Sequence, residues 1–429
     1  MSDLVTTLAN GIQVILREVH SAPVISFWVA YQVGSRNERT GTTGVSHWVE
    51  HMMFKGTQKF PGGVLDREID RAGGQWNAFT SMDYTMYYET MPADRIDLAL
   101  EAEADRMMNA QFTPDEVESE RTVIISERQG SENSPLFWLN EELRAMAYRV
   151  HGYHHSILGD MVDLENISRD DLYIHYKSHY NPANATIVAV GAFQNEDMLA
   201  KIQQRFGAIP SGTKPRLFVR PEPEFWGERR VTVERPGATA FLSIAHLVPE
   251  ATHEDWFKLE VLDSILSGPG GGIDSKTSRL YKALVKSGVA ADIESGLSET
   301  IDPYLHNITI TINDGHTHEE AEAIILAEIE RMRTEGITER ELEKAKKQAR
   351  ASFAYSTESV TNQAYWLAQS AVLGDLNWFD GFLERLETIT AEDVLDVAQR
   401  YFIPQQRIIG WLIPTGGDDM EYDEEFEEA

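Results

Sequence analysis

Residues 13–18 and 24–31 carry β-branched and aromatic side chains in short runs and predict two strands near the N-terminus. Residues 65–72 suit a short helix, which Gly73-Gly74 breaks. Residues 75–88 read as a strand pair about a turn at 81–83. Helical spacing follows over 95–108, 114–129, 136–148 and 169–179, and in the second of these Thr113 is placed as N-cap with Pro114 at the first helical position. A strand at 185–190 and a helix over 196–206 complete this half.

The pattern then begins again. Phe112-Thr113-Pro114-Asp115-Glu116-Val117 is echoed by Ile337-Thr338-Glu339-Arg340-Glu341-Leu342, and Ile167-Ser168-Arg169-Asp170-Asp171-Leu172 by Ile389-Thr390-Ala391-Glu392-Asp393-Val394. Tyr180-Asn181-Pro182 returns as Phe402-Ile403-Pro404, so the repeat has a period of about 222–225 residues. Two homologous α+β domains follow from this, and a chain of 429 residues is indeed too long for one ordinary core. Between 211 and 226 the composition shifts to Pro, Gly, Ser and basic residues, which predicts a linker joining domains at 1–210 and 227–429.

Composition narrows the function classes. Hydrophobic content of 42% with 25% charged residues is that of a soluble globular protein, and no apolar run approaches the ~20 residues that span a bilayer. A formal net charge of −31 argues against nucleic acid and would draw in basic peptides. Part of that charge is an acidic tail over 418–428, read as a solvated end. With no cysteine there is neither a disulfide nor a thiolate ligand nor a cysteine nucleophile. The first residues have neither a basic n-region nor an apolar h-region, so no signal peptide is expected and the cytoplasm is favoured, with the periplasm or export as the alternative if a leader has been removed.

One short stretch carries candidate chemistry. His47, Glu50 and His51 form the pattern H-x-x-E-H, the inverted form of H-E-x-x-H. On a helix His47 and His51 lie one turn apart on one face, so two imidazoles can converge on a metal ion with the Glu50 carboxylate beside them. Zinc takes nitrogen and oxygen ligands tetrahedrally, and a catalytic site keeps one position for water. One protein ligand therefore remains to be found. Glu120 and Glu127 are seven residues apart in the helix over 114–129, close to two full turns, so they share a face and either could reach the metal. Most glutamates are solvated surface charges, but the apolar Val123-Ile124-Ile125 between these two marks a helix that is largely packed.

Other candidates carry less. His151, His154 and His155 lie in a Gly-containing loop without helical spacing, and His316 and His318 flank a helix start; neither group is read as a metal site. Gly268-Pro269-Gly270-Gly271-Gly272 through Ser275-Lys276-Thr277 misses the phosphate-loop pattern, because position 275 is Ser where Gly is required, so nucleotide binding is rejected. No H-x-x-E-H follows residue 210, and on the repeat offset Glu120 faces Ala345 and Glu127 faces Ser352. The chemistry is therefore expected in the N-terminal half.

His47-x-x-Glu50-His51, the following Met52-Met53-Phe54-Lys55-Gly56-Thr57, and the downstream Glu120 and Glu127 resemble the M16 metallopeptidases, the pitrilysin family. The resemblance is to the short-chain M16B branch that includes mitochondrial processing peptidases and bacterial relatives, and it runs over nearly the whole chain. It implies two homologous domains, each a mainly antiparallel sheet packed with helices, forming half of a clamshell chamber, the C-terminal one shaping that chamber. It implies one zinc ion per chain held by His47, His51 and Glu127, with Glu120 supporting catalysis. It also implies that Asn77, Ala78 and Phe79 form a sheet edge to which extended peptides add by β-augmentation.

On this reading Glu50 is the general base of a zinc-dependent endopeptidase acting on extended or unfolded peptides. The alternative is a non-catalytic scaffold or peptide-binding subunit on the same fold. One departure bears on assembly. Many family members carry an Arg and a Tyr near the glycine-rich loop that help hold the substrate, and alignment through Gly288 places Leu284 and Ala291 there. A dimer is expected, either with itself or with an Arg/Tyr-bearing partner subunit, this chain being of the zinc-bearing type.

Overall fold

A computed structural model describes residues 3–215, 219–269 and 276–416. The acidic tail, residues 216–218 of the expected linker and residues 270–275 of the glycine-rich stretch lie outside the described residues.

The first half builds a six-stranded sheet from β1 (Leu4–Thr7), β2 (Gln13–Glu18), β3 (Val24–Tyr31), β4 (Gln75–Thr80), β5 (Thr85–Pro92) and β6 (Ala185–Gly191), in the order β1-β2-β6-β3-β5-β4. Its helices are α1 (Val45–Met52), α2 (Val64–Arg71), α3 (Ile96–Asn109), α4 (Pro114–Glu132), α5 (Pro135–Ala147), α6 (Met161–Asn166), α7 (Arg169–His179) and α8 (Asn195–Phe206). The second half builds a five-stranded sheet from β7 (Arg229–Arg235), β8 (Ala240–Val248), β9 (Ala290–Gly296), β10 (Tyr304–Ile312) and β11 (Arg407–Pro414), in the order β7-β11-β8-β10-β9. With it go α9 (Glu254–Leu266), α10 (His318–Glu335), α11 (Glu339–Ser356), α12 (Val360–Leu373), α13 (Phe382–Thr388) and α14 (Ala391–Tyr401).

The two sheets repeat one topology. β2 pairs β6 in parallel as β7 pairs β11, and every other strand pair in both sheets is antiparallel. The echoed sequence segments fall on matching turns. Thr113 and Thr338 N-cap α4 and α11, and Ser168 and Thr390 close capping boxes with Asp171 and Asp393 at the starts of α7 and α14. Pro182 and Pro404 each open a single 3-10 turn that leads into β6 or β11.

In the first half, the elements that the sequence reading bounded lie within three residues of their expected ends, except β5, which runs four residues past the expected end to Pro92. α4 runs on to Glu132, and the helix expected from residue 95 starts one residue later because Ala93–Arg95 forms a 3-10 turn. β1 and α6 were not expected; with four and six residues they are too short to carry a periodic signal.

One face of each sheet is covered by helices from its own half, giving two separate apolar cores. The opposite faces are closed by an exchange. Helix α12 of the second half lays Ala364, Leu367 and Ala368 against Trp28, Met86 and Val188 of the first sheet. Helix α5 of the first half lays Leu139, Leu143 and Ala147 against Ala245, Ile408 and Leu412 of the second. A polar joint completes the contact: Tyr153 Oη and the backbone N–H of Ile301 both donate to Asp83, and Arg36 reaches Asp302 Oδ2 at 2.7 Å. His151 pairs with the same Asp302 oxygen at 3.1 Å and His155 with Glu38 at 3.0 Å, which accounts for that histidine-rich loop.

Candidate metal centre

Helix α1 begins at Gly44, whose φ of +86° and whose approach to Leu158 O, 2.6 Å from where a Cβ would stand, leave no room for a side chain. Glu38 accepts hydrogen bonds from the Gly44 and Ser46 N–H groups at 2.7 and 2.8 Å, which satisfies the free donors at the helix start. Trp48, Val49 and Met52 are buried in the first core. That packing sets the helix rotation and turns His47 and His51 to one side, their ring centroids 4.7 Å apart.

Helix α4 crosses beside α1, its Val117 and Ile124 in the same core. His47 Nε2 lies 3.8 Å from Glu127 Oε1, and His51 Nε2 lies 3.6 Å from Glu127 Oε2. One ligand atom from each of His47, His51 and Glu127 falls within 4.8 Å of the others. A tetrahedral zinc site with bonds of about 2.0–2.2 Å has ligand separations of roughly 3.3 Å. Two nitrogens and a carboxylate oxygen at these distances fit zinc after a small inward movement, and the half-exposed Glu127 is free to make it.

The two glutamates of α4, which sequence spacing could not tell apart, differ in role here. Glu120 is buried, with its side chain 5% exposed, and it accepts a hydrogen bond from His51 Nδ1 at 2.9 Å while its other oxygen engages Lys55. With Nδ1 donating to Glu120, the lone pair of His51 Nε2 faces Glu127. Glu120 holds the His51 ring from behind, whereas Glu127 faces the Nε2 atoms of His47 and His51.

Glu50 is buried beside this cluster, and Thr80 Oγ1 on β4 donates to its Oε2 at 2.7 Å. Burial raises the Glu50 carboxyl above its ordinary range, against the opposing pull of Thr80 and His51. Burial, helped by the neighbouring His51, lowers His47 to about 4, which keeps it neutral as a ligand must be. For His51 burial also acts downward, but the Glu120 hydrogen bond and the surrounding carboxylates outweigh it and raise the value. Glu120 is held below its ordinary range because His51 and Lys55 overcome the effect of its burial.

Strand β4 is the outer strand of its sheet, next to α1. Ala78 faces the core, with Phe54 and Trp76 packed at its margin, whereas Phe79 turns to the other face, against Trp28 and Tyr365. Asn77 is exposed, and its Oδ1 accepts from the Ala78 N–H at 2.9 Å. Two participants were given no role by the sequence reading. Lys55 and Thr80 touch Glu120 and Glu50 only after folding, and nothing in their local pattern marks them.

Both halves match family models. Residues 13–161 match the one described as Insulinase (Peptidase family M16), and residues 166–349 match Peptidase M16 inactive domain. The chain is 29% identical to the zinc protease PqqE of Helicobacter pylori, over 95% of this chain and 92% of that protein. It is 25% identical to the mitochondrial-processing peptidase subunit beta of Lentinula edodes, over 92% and 87%. The crystal structure of a protease from Helicobacter pylori superposes with a TM-score of 0.91 at 29% identity, covering 96% of this chain and 100% of that one. Fold and helix pairing alike are those of a two-part α+β peptidase scaffold. The chain belongs to peptidase family M16, with the N-terminal and C-terminal domains of that family in order, and its homologues include M16B processing peptidases and bacterial zinc proteases.

Proposed function

We propose that the protein is a zinc-dependent endopeptidase, with domains at 1–210 and 227–429 and the chemistry in the first. His47, His51 and Glu127 hold one zinc ion. The observation that carries this reading is the convergence of those three ligand atoms from two helices, with His51 pinned from behind by Glu120. When bound, zinc supplies Lewis acidity, lowering the pKa of its water to near 7 and polarising the scissile carbonyl. Glu50 takes the proton of the attacking water and returns it to the leaving amine nitrogen. Its raised carboxyl suits both transfers, and Thr80 keeps it aimed. Glu120 is a positioning residue for His51.

An extended peptide pairs with β4 through backbone groups. The covered N–H of Ala78 supports this, since an incoming carbonyl would replace the Asn77 side chain that accepts from it. Asn77, Ala78 and Phe79 then contribute mainly main chain. Leu284, which is buried, and Ala291, which is exposed, stand where an Arg/Tyr pair would be expected, which favours a dimer in which a second subunit completes the chamber. No helix among the described residues is long and apolar enough to cross a membrane.

The test pairs metal analysis with peptide cleavage. Glu50→Gln should retain zinc and lose cleavage by at least ~10²-fold, the lower range for a general base, whereas Glu127→Gln should lose zinc. Full cleavage by zinc-loaded Glu50→Gln would remove Glu50 from the mechanism. The second reading, a non-catalytic peptide-binding subunit, is favoured by the inactive-domain match over residues 166–349. It requires that peptide binding survive chelation and that no cleavage occur with or without a partner subunit.

A further inference from the structure

The second half keeps a cleft where the first half keeps its ligand cluster. Placing Phe54-Lys55-Gly56 on Leu266-Ser267-Gly268 brings the ends of α1 and α9 within two residues of each other, and both glycines have positive φ, +102° and +118°. Leu259 then replaces His47, Leu262 replaces Glu50 and Asp263 replaces His51. Ala345 and Ser352 of α11 stand for Glu120 and Glu127. Replacing two long carboxylates with Ala and Ser opens space, and Ala345, Ser352 and Asp263 all line one cavity of about 410 Å³ between α9, α11 and β9.

The walls of this cavity are aromatic. Trp366 and Phe353 both stack on Phe379, at 5.4 and 4.8 Å, and Trp378 stacks behind Trp366 at 6.1 Å. Its charged groups are acidic. Glu260 and Glu299 both line it, each half-buried, and neither forms an ion pair with a basic side chain among the described residues. Asp263 is occupied by His306 at 2.7 Å and by Ser295. Ser264, 8% exposed and also on the lining, has a hydroxyl with no hydrogen-bond partner.

Unpaired carboxylates in an apolar setting are costly, and aromatic faces attract cations. An occupant carrying positive charge on a hydrocarbon stem answers both features, and the Ser264 hydroxyl offers it a further acceptor. We propose that this cavity binds a guanidinium or ammonium group on an alkyl stem, with Glu260 and Glu299 as its charge partners and the Trp366–Phe379 slab as its wall. Burial, with Asp263 and Glu299 nearby, raises the Glu260 carboxyl to about 8, and a cation bound beside it would lower it again. The metal centre of the first half takes no part in this site, so the proposal stands apart from the peptidase reading.

The tryptophans supply the readout. The full-length protein is titrated with N-acetyl-arginine amide, with the uncharged N-acetyl-citrulline amide as control, while tryptophan fluorescence is followed. A saturable change with the arginine compound alone is expected, weakened at least ~10-fold in Glu260→Gln as one charge-assisted contact is lost. If Glu260→Gln does not fold, Glu299→Gln reads the same contact. A peptide with one internal arginine, run alongside, separates a free small cation from a peptide side chain as the source: tighter binding of the peptide assigns the latter, equal or weaker binding the former. No saturable change, an equal response to citrulline, or undiminished binding in a folded variant would overturn the site.

Discussion

Removal of the Glu120 charge isolates the step from fold to metal chemistry. Glu120 touches no ligand atom of Glu127 or His47. Its one link to the centre is the 2.9 Å hydrogen bond from His51 Nδ1, made by a side chain only 5% exposed and so little screened by solvent. In Glu120→Gln the amide oxygen can still accept that bond, but the charge that makes His51 a stronger donor is gone; in Glu120→Ala nothing holds the ring. Loss of such an outer partner costs about 10–100-fold in metal affinity, or about 1.4–2.7 kcal/mol. The lower figure is expected for Gln and the upper for Ala. Lys55 loses its partner in both variants, yet it is 35% exposed and can be hydrated, so little of the effect should come from there. The assay is competition for zinc between the metal-stripped protein and a fluorescent chelator at neutral pH, with thermal melts of the stripped proteins to check the fold. Wild-type affinity in both folded variants would refute the claim that Glu120 orients His51.

Two further outcomes follow from the same geometry. Thr80→Val removes the 2.7 Å donor that opposes the raised Glu50 carboxyl, so Glu50 should ionise only at higher pH. The base acts ionised, so activity is lost as pH falls, and the acid limb of kcat/KM against pH should move upward by about one unit; an unmoved limb would refute the contact. Glu341 is held down to about 2, first by its two bonds to Arg279 and then, against its burial, by capping α11 at Thr338. Its folded value lies below the unfolded one, so its stabilisation is present above the unfolded pKa and fades as pH falls towards about 2. Discounted for partial exposure, Glu341→Gln should cost about 1 kcal/mol at neutral pH. Denaturant midpoints of the two proteins should converge in acid, and a gap that persists there would refute the assignment.

Much of this protein could be read along its chain because its signals are local. The capping pairs Ser168 with Asp171 and Thr390 with Asp393 are three residues apart, so a reader of sequence meets both partners at once and the repeat becomes visible. The facing of His47 and His51 follows from helical spacing in the same way. Lys55 and Thr80 could not be found like this, because each meets its carboxylate across elements far apart in sequence. From spacing alone Glu120 and Glu127 were legible only as a pair sharing a face; the resemblance to the family was what suggested different roles for them.

That division has a physical reason. Hydrophobic period, caps and motif spacing act over one or two turns, and by themselves they determined most helices of the first half, the duplicated α+β plan and two of the three candidate ligands. Which α4 carboxylate faces the histidines depends on how that helix packs against α1. The exchange of α5 and α12 between the sheets, and the conversion of the second cleft into an aromatic and acidic cavity, depend on surfaces that meet only when the halves close. These choices were made by long-range burial, which no local pattern encodes.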